Sequence, residues 1–166
     1  MASTPLGAIV RGVAAGIAGT ALMTAWQKLS AKLQSSNGSG GDSEPEDPWE
    51  QASAPAKVAK RISEGVFHKE VPADLIPALT QGMHWGYGIG WGTVYGLIAG
   101  TRGTSGVRDG LAFGTLVWLS SYAQLVPMGL YEPPWEYEPK ELAMDLSYHL
   151  VYGAGVAAGY RALDSV

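Results

Sequence analysis

Two histidines, one aspartate and two amides, set among apolar residues, are the groups of this chain best suited to moving a proton or holding a solute. Gln81 and His84 lead into a glycine run, Asp145 precedes His149 by one helical turn, and Gln124 follows Ser120 and Ser121 in another apolar block. Residues four apart on a helix share a face, so the Asp145 carboxylate could orient the His149 imidazole and raise its basicity. Ionisable side chains inside apolar helices are costly and mark candidate functional sites. Three chemistries suit the set. Buried His, Asp and Gln can bond across helices and fix register. The same groups can relay protons or line a path for a small solute. Two imidazoles on facing helices can also ligate a haem iron.

These groups belong to an internal repeat. In the stretch GMHWGYGIGWGTVYGLIAG, His84, Tyr87, Gly88, Gly90 and Tyr95 return later as His149, Tyr152, Gly153, Gly155 and Tyr160, in the same order and at the same spacings. On a helix these offsets bring His, Tyr, Gly and the second Tyr to one face. Tyr87 and Tyr152 therefore join His84, His149, Asp145, Gln81 and Gln124 as a candidate polar site. Both histidines lie at similar depth from the start of their helices and could face each other. A weaker echo matches Arg11, Gly12 and Gly16 with Arg108, Gly110 and Gly114. The chain then reads as two helical hairpins of equal orientation, related by a pseudo-twofold axis along a membrane normal.

Composition sets the medium. The 166 residues make one domain, 46% hydrophobic. A mean hydropathy of +0.04 resembles a soluble protein only because one polar insert dilutes four apolar blocks. Charged residues are 16% and glycines number 23, a balance that favours tightly packed membrane helices. A net charge of −4 gives no footprint for nucleic acid. The absence of cysteine removes disulfides, thiolate metal sites and cysteine nucleophiles. No phosphate loop, zinc-protease motif or Ser-His-Asp spacing is present, so the expectation is a non-enzymatic protein without a metal or cofactor.

The elements follow in order. Apolar runs of about 20 residues suffice to cross a bilayer, and they predict spans over residues 6–29, 77–100, 107–130 and 141–163. Residues 34–48 are nearly free of apolar side chains and predict a flexible insert. A short amphipathic helix over 54–67, capped by Ser53, carries Val58, Ile62 and Val66 on one stripe and suits a membrane surface, or the end of the bundle. Pro127 should kink or end the third span. Trp135, Tyr131 and Tyr137 in the loop YEPPWEYEP have the amphipathic rings of a headgroup layer. Small residues predict the contact faces: Gly12 and Gly16 on the first span, Gly88, Gly90, Gly92 and Gly96 on the second, and Gly153, Gly155 and Gly159 on the fourth. Arg11, Arg102, Arg108 and Arg161 gather at one end, where Arg11 and Asp109 are expected to pair across helices.

The segments PAKVAKRISEGVF, HWGYG and GLYEPPWEYEPKELAMDLSYHLVYG resemble a group of small bacterial membrane proteins, similar to the YagU-like inner-membrane family. The resemblance covers most of the chain after residue 48 and implies residence in the bacterial cytoplasmic membrane. It brings no catalytic residue, cofactor or substrate. Residue pattern and resemblance together predict an all-α fold: a four-helix transmembrane bundle of two similar hairpins, plus one interfacial helix. The lipid bilayer is the expected partner, with a homo-oligomer or a membrane assembly formed through glycine faces. A small transporter or channel lined by the His/Asp cluster is the alternative, and a bis-His haem protein the third reading.

Overall fold

Prolines mark where the helices begin. Pro5, Pro55, Pro77 and Pro139 all fall in a first helical turn, where a missing N–H breaks no bond. The computed structural model describes residues 4–35, 47–103 and 106–165. They form α1 (Pro5–Ser35), α2 (Ala54–Val66), α3 (Ile76–Arg102), α4 (Val107–Leu125) and α5 (Pro139–Asp164), with 3-10 turns at Ala73–Leu75 and Pro134–Glu136. Among the described residues the chain is all-helical.

Helix ends follow local chemistry. The third apolar block stops as a helix at Leu125, short of residue 130, because Pro127 follows and the chain turns at Gly129 with φ of 63°. Gly103 closes α3 at φ 69°, its N–H reaching the Ala99 carbonyl at 2.8 Å. Ser53 does not cap α2 as its sequence position suggests. Its hydroxyl meets that of Thr80 at 2.8 Å and ties α2 to the start of α3. Ala56 is buried, whereas Ile62, Val66 and Phe67 are exposed. The expected insert lies mostly outside the described residues.

Four long helices form a ring in the order α3, α1, α5, α4, each antiparallel to its neighbours. Glycine sets three of the four seams. Between α1 and α3, a Cβ on Gly12 would stand 2.7 Å from the Gly92 carbonyl oxygen, and one on Gly16 would stand 2.9 Å from that of Gly88. Between α4 and α5, Gly110 lies against Gly153, Ala154 and Ala157, and Gly114 against His149. Between α1 and α5, Gly19 and Ala15 meet Gly155 and Gly159. The fourth seam, α3 to α4, is bridged by side chains: Phe113 sits edge-on to Trp91 and Tyr95, with ring centroids 6.0 and 4.9 Å away.

The two hairpins correspond one turn away from the match that sequence suggests. Gly16 touches Gly88, Ile89 and Gly92 just as Gly110 touches Gly153, Ala154 and Ala157. Gly110 is thus the counterpart of Gly16, not of Gly12, and Gly114 is that of Thr20. A glycine pair spaced by one turn fits its own shifted copy, so spacing alone does not fix the register.

Eight of the nine expected packing glycines make such contacts. The exception is Gly90, which with Gly82 and Gly86 faces open space. The expected pair of Arg11 with Asp109 does not form either. Arg11 bonds Asp164 at 2.5 Å, linking α1 to α5, while the Asp109 carboxylate accepts the Gly106 N–H at 3.0 Å and caps its own helix.

Among the described residues, α1 is the one helix long and apolar enough to cross a bilayer by length and composition. In its most apolar window only 33% of residues are buried, and Leu6, Val10, Leu22 and Leu33 are exposed. Of the other long helices, α5 carries Lys140, Glu141, Asp145, Arg161 and Asp164 along its length.

Candidate functional site

The α3–α4 seam, where side chains and not glycines meet, widens into a cavity at the end of the bundle that bears α2. All seven residues of the candidate polar site line it: Gln81, His84 and Tyr87 from α3, Gln124 from α4, and Asp145, His149 and Tyr152 from α5. Its volume is about 480 Å³. Thr20, Met23, Thr24 and Gln27 of α1 complete the wall, and Ser53, Pro55 and Val58 carry α2 to the rim. The wall is mostly apolar between these polar groups, the usual character of a small-molecule site. Beneath Gly88, Val117 and Tyr152 the bundle is filled by Tyr95, Phe113, Val156 and Tyr160, so the floor is closed by packed rings.

Hydrogen bonds fix which nitrogen each imidazole shows. Nδ1 of His149 lies 2.9 Å from the Asp145 carbonyl oxygen, which can only accept. Nδ1 therefore carries the proton, and in the neutral ring Nε2 is bare. Thr24 gives its hydroxyl proton to the Thr20 carbonyl at 2.8 Å, so its contact of 3.3 Å with His84 has Nε2–H donating. Nδ1 of His84 is then the bare nitrogen. The two rings reach one cavity with opposite tautomers. An iron taken by Nε2 of both would have to displace Thr24 from His84, which weighs against a bis-His haem.

Asp145 acts differently from its sequence expectation. Its carboxylate is 3.7 Å from His149 Nδ1, and the backbone carbonyl of the same residue orients the ring. Oδ2 accepts from Trp118 Nε1 at 2.9 Å and from the Tyr122 hydroxyl at 3.1 Å, so two α4 side chains hold it. Tyr87 joins Ser120 at 3.2 Å and accepts from Gln124 Nε2 at 3.1 Å, across the open seam. Tyr152 donates to the Gly88 carbonyl at 2.5 Å and spans the bundle between α5 and α3.

A second cavity of about 520 Å³ shares a wall with the first. Tyr131 and Asp145 line both, and Tyr122, Tyr137, Tyr148, Glu138, Lys140 and Glu141 line the second. Of the loop rings expected at headgroup depth, only Trp135 is exposed; Tyr131 and Tyr137 turn inward, with ring centroids 5.3 and 6.0 Å from that of Tyr122. Burial, reinforced by the Asp145 carboxylate, pushes the Tyr131 phenol up to about 12, so it remains a neutral O–H at physiological pH.

Sequence reasoning passed over Thr24, Trp118 and Tyr122. Threonine in an apolar helix commonly bonds its own backbone, so Thr24 carries no special signal. A buried indole N–H needs an acceptor, and that requirement could have linked Trp118 to the one carboxylate at matching depth. Among the described residues no group of three His, Cys, Asp or Glu side chains assembles into a metal site. No protein-family model, curated protein or solved structure matches this chain.

Proposed function

We propose that the chain is a non-enzymatic, multi-pass protein of the bacterial cytoplasmic membrane whose cavity binds a small solute for passage across or into the bilayer. One observation carries this reading: seven polar side chains picked out from separate blocks of an otherwise apolar sequence line a single 480 Å³ cavity. Polar groups used only to glue helices are expected to pair with one another and close the space between them. Here His84, His149 and Asp145 border open volume. Supporting the membrane setting, apolar residues cover the outward faces of three helices: Ile9 and Ile17 of α1, Val94, Leu97 and Ile98 of α3, and Leu111, Leu116 and Leu119 of α4. An apolar belt of that extent is unusual for a monomer in water. Lipid also suits glycine-rich helices, whose backbones must satisfy themselves while the missing side chains provide contact surface. The bacterial inner membrane follows from the YagU-like resemblance.

Proteoliposomes carrying wild type and the His84→Ala, His149→Ala double variant, loaded with a panel of small cations, neutral solutes and anions, test the reading. Wild type should pass at least one solute about tenfold faster than the variant. Equal rates, or none in either, would end it. Recovery of the full chain in a high-speed supernatant without detergent would remove the membrane itself.

A second reading has its own observation. Gly82, Gly86 and Gly90 lie one turn apart on the outward side of α3 with nothing against them, a small-residue face suited to a second copy of the chain in lipid. Leucine at Gly86 should then reduce the size of the detergent-solubilised particle, and an unchanged particle would argue against the oligomer. Leucine at Gly88 or Gly92 is a poor probe, because those faces are already occupied by α1.

A further inference from the structure

We infer that the solute bound in the cavity is a small organic ammonium ion, an apolar body carrying one protonated amine; this rests on the solute-binding reading above. Charge selects the sign. Among the described residues no lysine or arginine lines the cavity, and the one fixed charge in its wall is Asp145. Arg61 on the neighbouring helix is turned to the Met128 carbonyl. An anion would enter a low-dielectric space with no counter-charge and a carboxylate beside it, which is prohibitively costly. A cation meets the opposite field.

Hydrogen-bond capacity selects the ammonium class. Both bonds to the Asp145 carboxylate fall on Oδ2, so Oδ1 keeps its accepting capacity. His84 and His149 each spend their N–H on the protein and show a bare nitrogen. An N–H donor bearing positive charge satisfies such acceptors, whereas another acceptor does not. The tyrosine rings of residues 87 and 152 and the methionines at 23, 83 and 128 supply surface for an apolar body, and aromatic faces attract ammonium groups. The adjoining cavity has the same character. Tyr137, Tyr148, Glu138 and Glu141 surround it against a single Lys140, and it meets the first cavity at Tyr131 and Asp145. An aromatic, net-acidic antechamber would concentrate a cation at the wall it shares with the site.

Calorimetric titration of the full-length protein in detergent with benzylammonium, benzyl alcohol and benzoate separates charge from size, since the three probes share one ring. Benzylammonium should bind at least tenfold more tightly than benzyl alcohol, and benzoate should not bind. Asp145→Asn should weaken benzylammonium about tenfold and change benzyl alcohol less than twofold. Benzyl alcohol or benzoate binding as tightly as benzylammonium would overturn the cation assignment while leaving a solute cavity in place. If no probe binds, the assignment also fails, and the flux panel decides the solute reading by itself. The comparison among probes uses wild type alone, so an Asp145→Asn protein that does not fold still leaves the assignment decided.

Discussion

The α1–α5 and α3–α4 seams occupy equivalent positions in the two-hairpin arrangement, and they differ in the size of a few residues. Gly19 on α1 packs against Tyr152 and Val156 of α5; its counterpart on α4 is Phe113, which packs on Trp91 of α3. A Cβ on Gly155 would stand 3.0 Å from the Gly19 Cα, whereas one on its repeat partner Gly90 would touch nothing. Small residues let two backbones meet; two large rings hold them apart. The cavity lies on the propped side. Duplicated hairpins would give two alike seams, and the departure from symmetry is what makes room for a site.

Substitutions that exchange the character of the seams should have the largest effects. A Cβ on Gly19 would lie 2.8 Å from the Tyr152 carbonyl oxygen and against the Val156 and Tyr152 side chains, so Gly19→Leu should abolish a monodisperse folded species in size-exclusion chromatography. Overpacking of this kind costs about 3 kcal/mol or more where backbone must shift. The symmetric change Gly90→Leu, into open space, should leave the fold intact. Phe113→Ala removes the prop and should cost about 3 kcal/mol in unfolding free energy; it should also weaken solute binding, because the rings beneath the cavity lose their support. A Phe113→Ala protein as stable as wild type would show that the seam is not held open by this ring.

Smaller effects test the pins across the open side. Tyr152→Phe removes the second donor of the Gly88 carbonyl, which keeps its own helical N–H, and should cost about 1 kcal/mol, read by denaturant titration. Thr24→Val removes the acceptor that sets the His84 tautomer. Its stability cost should be about 1 kcal/mol, and the telling readout is the His84 ring nitrogen chemical shifts, which should report a changed tautomer population. Asp164→Asn is the mildest: a partly exposed ion pair with Arg11 contributes about 0.5 kcal/mol, screened further by salt.

Much of the site was legible because polar residues are rare in the apolar blocks. His84, His149, Asp145, Gln81 and Gln124 stand out by type, and the repeat added Tyr87 and Tyr152 by spacing. Their roles were less legible. The Asp145 carboxylate, expected on His149, goes to Trp118 and Tyr122, because two α4 donors reach it while the Asp145 backbone carbonyl takes the His149 N–H at 2.9 Å. Arg11 found Asp164 in place of Asp109 because Asp109 has a nearer donor in the Gly106 N–H at the start of its own helix.

By itself the sequence determined the all-helical class, the helix starts at proline, the small-residue faces and the short roster of polar groups, since each is written in local pattern. Tertiary structure alone decided the one-turn shift between hairpins, which glycine ladder is buried and which is bare, and the unequal seams. Those depend on which helices meet and at what distance, and distance is set by the pairing of residues far apart in the chain, Gly19 with Gly155 and Phe113 with Trp91.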